Sequence, residues 1–174
     1  MPLLDNHKSN PLNINLQETN LGSPVIISDK SIQKIGFNVM AERKVEELLY
    51  IKEYRVWDNA IETIFDREYY TEMEASPDHL IFLSALVNLQ KMVYVYMHHY
   101  LGIEYSSVGK EKLKIWPTDL NLNMPKMIFD KTHLSHKMNI KSIKYVGSNK
   151  YYIIADTSVN NTIKINGKAL AIIL

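Results

Sequence analysis

The sequence predicts an α+β protein in which a curled antiparallel sheet wraps one long central helix. Two observations carry that prediction. The stretch Ser76 to Gly102, SPDHLIFLSALVNLQKMVYVYMHHYLG, is apolar around most of a helix circumference, which calls for a layer covering nearly all of it. Strand-forming runs separated by turn residues lie before it and, more densely, after it, and an antiparallel sheet made from them supplies the layer.

Residues 1 to about 37 carry Pro2, Pro11 and Pro24 among scattered Asn, Ser and Gly without a sustained period, so they read as an arm or irregular wrap beside a single domain over 38–174. Phe37 to Tyr50 is rich in helix formers, with Val39, Val45, Leu48 and Leu49 loosely one-sided, and predicts a short amphipathic helix. Ile51–Trp57 and Ala60–Tyr70 are dense in Tyr, Val, Ile, Trp and Phe around Asp58-Asn59, and predict two strands joined tightly.

The central helix is expected over about residues 77–101. Ser76 as cap, Pro77 at the first helical position and Asp78 in the first turn suit its start, and Gly102 suits its stop. Ile103 to Met124 reads as a mixed connection. Strands are then expected at Met127–Leu134, Met138–Val146 before a turn at Gly147-Ser148-Asn149-Lys150, and Tyr151–Val159. A closing hairpin is expected from Asn161–Ile165 and Lys168–Leu174, with Asn166-Gly167 as its turn because both residues accept positive φ. Strands, one long buried helix, then long antiparallel strands is the layout of the hotdog fold.

Composition narrows the function. The 174 residues are 46% hydrophobic, enough for a sizeable core, and 20 Lys plus Arg against 19 Asp plus Glu give no field that recruits nucleic acid. The absence of cysteine removes disulfides, thiolate nucleophiles and thiolate metal sites, and fits a reduced, cytoplasmic setting. The N-terminus lacks a charged leader followed by an apolar core, so no export is expected. Asn88, Gln90 and Lys91 near the centre of the apolar stretch argue against a membrane span.

The central helix LSALVNLQKMVY, preceded by the pair Tyr69-Tyr70 and the loop ending PDHL, resembles the FcoT-like long-chain acyl thioesterase family, whose helix carries a Tyr-Asn-Gln-Met-Met-Tyr type of motif after a tyrosine-bearing strand. The runs KMIFDKTHLSHKMNIKSIKYV, YYIIADTSV and INGKALAIIL are similar in spacing to the family's closing strands, so the resemblance covers about residues 50 to 174. It implies fatty acyl thioesters of coenzyme A or an acyl carrier protein as substrates, either hydrolysed or, as in some relatives, given an amine across an enoyl thioester. It also implies a homodimer or higher oligomer with sites at the subunit interface, and tyrosine and helix asparagine residues in place of a Ser-His-Asp triad. If Asn88 takes the place of the helix asparagine, His79 falls where the family has a second one. If Gln90 aligns with the family glutamine, Leu89 and Leu80 stand at the two asparagine positions instead. The first register keeps polar groups at both and is preferred. The tyrosine maps to Tyr69 or Tyr70, only one of which can face a pocket from a strand.

Each candidate also has a plain structural reading. His79, at the expected helix N-terminus, offers an imidazole that can accept a proton from water or polarise a carbonyl, or it simply caps the helix. Asn88 shares a helix stripe with Ser84 and Lys91, where a carboxamide can hold a water or donate to an oxyanion, unless the stripe is the solvated side. Gln90 is rotated ~200° from Asn88, so at most one of the two is central. Ser84, Gln90 and Lys91 are therefore substrate-binding candidates, and Tyr69 or Tyr70 can hydrogen-bond the carbonyl or merely pack on the helix.

No Asp or Glu occurs between Asp78 and Glu104, which argues against a hotdog dehydratase that pairs a loop histidine with a helix carboxylate. Asp66, Glu68, Glu72, Glu74 and Asp78 flank the helix start, where a general base or, more simply, solvated loop charges are expected. Adjacent His98-His99 diverge on a helix, and with His133 and His136 three apart and no His-Glu-x-x-His pattern, neither a metal nor another cofactor is expected. The leading expectation is an acyl-thioester enzyme using His79, Asn88 and Tyr69 or Tyr70. The other is a non-catalytic hotdog module that binds an acyl ligand or a partner protein.

Overall fold

A computed structural model describes residues 45–72, 78–104 and 112–174. All of them belong to the compact unit Val39–Leu174. The expected arm over 1–37, the Ser76-Pro77 cap and Glu74 lie outside the described residues.

Six strands form one antiparallel sheet: β1 (Val45–Trp57), β2 (Ala60–Thr71), β3 (Leu113–Asn123), β4 (Leu134–Gly147), β5 (Lys150–Val159) and β6 (Ile163–Ile173). Their order across the sheet is β1-β2-β4-β5-β6-β3, and the helix α1 (Phe82–Leu101) falls between β2 and β3 in the chain. This is the hotdog architecture expected from the sequence. Register shifts at Ile51/Glu53, Pro117/Asp119, Ile140/Ser142 and Tyr145/Gly147 mark bulges, which sharpen twist and let the sheet curl. The face toward the helix carries the core: Ile61 and Phe65 of β2, Leu134 and Met138 of β4, Ile153 and Val159 of β5, and Met92, Tyr96 and Met97 of α1. No helix among the described residues is long and apolar enough to cross a membrane.

Local expectations needed four corrections. Val45–Tyr50 is strand, not helix, because Val45, Glu47, Leu49 and Ile51 alternate inward and ladder onto β2, so tertiary pairing overrides helix propensity. The supposed connection before Met124 contains β3, an edge strand that accommodates Pro117 at its bulge. Met127–Leu134 is not a strand up to Leu134, where β4 begins, because its carbonyls are taken elsewhere: Ile128 O by Leu80 N at 2.8 Å, and Phe129 O and Asp130 O by Arg67. Asn166-Gly167 is not a turn but the middle of β6, paired on both sides. The β5–β6 turn instead uses Asn160 (φ 45°) and Asn161 (φ 55°), since asparagine tolerates the left-handed region. Gly167 serves close approach, because a Cβ there would stand 2.7 Å from Leu120 Cδ2 and 3.2 Å from Asp119 O.

The helix also starts later than expected, at Phe82, so Asp78 and His79 precede it. Its N-cap, Ile81, has no side-chain cap of its own; Glu47 Oε2 of β1 accepts the Ile81 amide at 3.0 Å. At the other end Gly102 takes φ 63° and closes the helix, as the sequence indicates.

Candidate functional site

The end of the sheet nearest the helix start is held by a buried ion-pair hub. Arg67 projects from β2 with no exposed side-chain surface and lies 3.1 Å from Glu47 Oε1 and 3.0 Å from Asp78 Oδ1. It also donates to the carbonyls of Asp130, Asp78 and Phe129 at 2.8 to 3.2 Å. Burial pushes the Asp78 carboxyl up, but Lys131 and Arg67 outweigh it and hold it below its ordinary value. Arg67 and Glu47 have their partners within the hub, while Asp78 Oδ1 is ion-paired with Arg67 but makes no hydrogen bond among the described residues; the hub reads as structure that positions the helix rather than as chemistry.

Deeper along the helix, β4 and β5 bring a second polar group into the core. Inward alternation of Leu134, His136 and Met138 places His136 under α1, fully buried. Asn88 Nδ2 lies 3.2 Å from His136 Nδ1, and His136 Nε2 lies 3.2 Å from Thr157 Oγ1. Burial pushes the imidazole down to about 4, so it is neutral at physiological pH. Asn88 Oδ1 and Thr63 Oγ1, the latter on the residue paired directly with His136 across β2 and β4, have no hydrogen-bond partner among the described residues.

Thr157 opens onto an apolar cavity of about 220 Å³ between α1 and strands β3 to β6. Exposed Val87, Gln90 and Leu120 stand at its mouth, while Met138, Ile153 and Thr157 form its buried floor. Gln90, Thr157 and Lys168 are its polar lining residues, and Lys168 pairs with Asp119 at 2.8 Å. Such a cavity can take a short apolar chain from its mouth and offers hydrogen bonds at two depths.

The site residues expected from the sequence do not gather in one place. Gln90 lines the cavity and, with Lys91, an adjoining open groove of about 720 Å³. Asn88 is 1% exposed and sits behind the cavity floor with His136, while Ser84 is half-buried and Lys91 exposed, so the stripe they share dips into the core at its middle. Tyr69 and Tyr70 line a separate depression of about 330 Å³ with Arg67 and Lys131, with Tyr70 56% exposed. His79 is half-buried in the segment before the helix and lines neither space. His136 and Thr157 were not singled out for the site. The signal for both is strand alternation, Leu134-His136-Met138 and Ile153-Ala155-Thr157-Val159, which puts them on the face that the helix covers. Among the described residues no three His, Cys, Asp or Glu side chains are placed to hold a metal ion.

No protein-family model matches the chain, and no curated protein does. Solved structures with a similar chain path include a thioesterase of Haemophilus influenzae, 11% identical over 86% of this chain and 94% of that chain, with a TM-score of 0.44. A thioesterase of Pseudomonas aeruginosa, solved as a mutant, is 11% identical over 71% and 82%, with a TM-score of 0.43. A hypothetical thioesterase of Streptococcus pneumoniae, solved with coenzyme A, is 12% identical over 72% and 87%, with a TM-score of 0.39.

Proposed function

We propose that this protein is an acyl-thioester enzyme of FcoT-like type that hydrolyses an acyl-CoA or acyl-carrier-protein thioester, or adds a nucleophile to its enoyl form. The observation that carries the reading is the apolar cavity beside α1 with a helix carboxamide, Gln90, at its mouth. A carrier must remain outside while its acyl chain enters, so the thioester group comes to rest beside Gln90. There the carboxamide can donate to the carbonyl oxygen as it gains charge, or hold a water for attack. In this reading Asn88 acts indirectly, by fixing His136, and Tyr69, Tyr70 and His79 act only if a second subunit brings them to the mouth. The motif resemblance of the helix and closing strands supports the same substrate class.

A second reading, a non-catalytic module that binds an acyl ligand, is favoured by one observation: among the described residues no Asp, Glu or His lines the cavity. The two separate on turnover. The chain has no cysteine, so a thiol reagent reports only the coenzyme A released from a panel of acyl-CoA esters. Hydrolysis is expected, and Gln90→Leu is expected to lower it without unfolding the protein. Binding without thiol release or enoyl addition would instead establish the module.

A further inference from the structure

The hydrogen-bond directions behind the cavity floor fix where the Thr157 hydroxyl proton can go. Asn88 Nδ2 donates to His136 Nδ1, so the neutral ring carries its proton on Nε2 and donates it to Thr157 Oγ1. Thr157 Oγ1 is thereby an acceptor toward the protein and makes no other hydrogen bond to the described residues. Thr157 lines both the apolar cavity and a polar depression with Asn139, Asp156 and Asn166, but it alternates inward with Ile153 and Ala155, so its side chain belongs to the cavity side, where the side chains of Met138, Ile153 and Ala155 are apolar and cannot accept its proton. A donor at the closed end of an apolar cavity is costly to leave unmet and rejects a purely hydrocarbon occupant.

Depth then separates two roles. Gln90 is exposed at the mouth, and Thr157, 5% exposed, is on the floor. A thioester held at the mouth by its carrier sends its acyl chain toward Thr157. At about 220 Å³ the cavity falls below the usual ~300–1,000 Å³ of a small-molecule pocket, so it suits a short chain. We propose that the preferred substrate is a short acyl thioester with a keto or hydroxyl oxygen on the part of the chain that reaches Thr157. Thr157 donates to that oxygen and is oriented by His136 and Asn88. This deepens the acyl-thioester reading and rests on it.

The test compares plain and oxo-substituted acyl-CoA esters of matched length, measuring both kcat/KM and calorimetric affinity. Wild type is expected to favour the oxo ester by about tenfold, the value of one hydrogen bond to an otherwise unmet donor. Thr157→Val is expected to bring the ratio to about one and Thr157→Ser to keep it. Asn88→Ala is expected to lower the ratio through the imidazole, a selectivity loss that a purely structural role does not produce. A wild-type ratio of one or less, a ratio unmoved by Thr157→Val, a Thr157→Ser variant that behaves like Val, or an Asn88→Ala variant with the wild-type ratio overturns the proposal. If no ester is turned over, the enzyme reading fails by itself, and the affinity ratio still decides the role of Thr157.

Discussion

Asn88 of the helix and His136 of β4 meet in the core, Nδ2 to Nδ1 at 3.2 Å, 48 residues apart in the chain. The contact gives a buried acceptor its partner while leaving Asn88 Oδ1 without one among the described residues. Asn88→Ala removes the donor and opens a void, and is expected to cost about 1–3 kcal/mol from the unmet ring nitrogen alone. Asn88→Leu removes the same amide donor and oxygen but fills the space, so it should cost less. Urea denaturation of the two variants measures the difference, and equal losses would show that the void adds nothing to the cost of the unmet ring nitrogen.

Stability should fall with pH in a window set by His136. Its ordinary value of 6.5 drops to about 4 in the folded state because burial disfavours the cation. The unfolded chain therefore binds the proton first. The contribution is complete above about pH 6.5 and is lost as pH falls toward 4, amounting to roughly 3 kcal/mol. Asp66 and Asp78, held below their ordinary 3.8, add losses only at lower pH. In denaturation curves between pH 7 and 4.5, His136→Gln should flatten the slope, and a slope equal to wild type would remove His136 as its source.

Arg67 should be the most sensitive charged position. Arg67→Ala leaves Glu47 buried without its cation and frees three carbonyls, and is expected to cost about 3–5 kcal/mol. Glu47→Gln keeps a polar group near both Arg67 and the Ile81 amide and should cost less. Thermal and urea midpoints for the pair rank them, and the reverse order would mean that the hub is not the anchor of the helix start.

Gly167→Ala tests close approach against turn formation. The new methyl meets Leu120 Cδ2 at 2.7 Å and Asp119 O at 3.2 Å, so a loss of about 1–3 kcal/mol is expected, with the cavity they share narrowed. Leu120→Ala should recover part of it, since the side chain can yield and the carbonyl cannot. A stabilising Gly167→Ala would contradict the tight β3–β6 contact.

The sheet-and-helix plan was legible because it rests on periodicity: the long apolar helix and the alternation of β2 and β5 survive any error at their ends. What was not legible depends on partners distant in sequence. Val45–Tyr50 has the composition of a helix and becomes strand only by pairing with Arg67–Thr71 and neighbours. Asn166-Gly167 has turn chemistry but is claimed from both sides by β3 and β5, while Asn160-Asn161 makes the turn. At the site, Gln90 and Asn88 were visible as polar breaks in an apolar helix. His136 and Thr157 were hidden because a histidine and a threonine on strands look ordinary until the register places them beneath that helix.

The Arg67 hub also bears on how the chain can vary in length. Surface loops ordinarily absorb insertions and deletions. The segment from Met124 to His133 has little such freedom, because three consecutive carbonyls, those of Ile128, Phe129 and Asp130, are matched to the Leu80 amide and one guanidinium. Adding or removing one residue there would slip all three off their donors at once, so this loop behaves as a measured spacer between the β3 edge and β4, fixed in length although it has no regular structure.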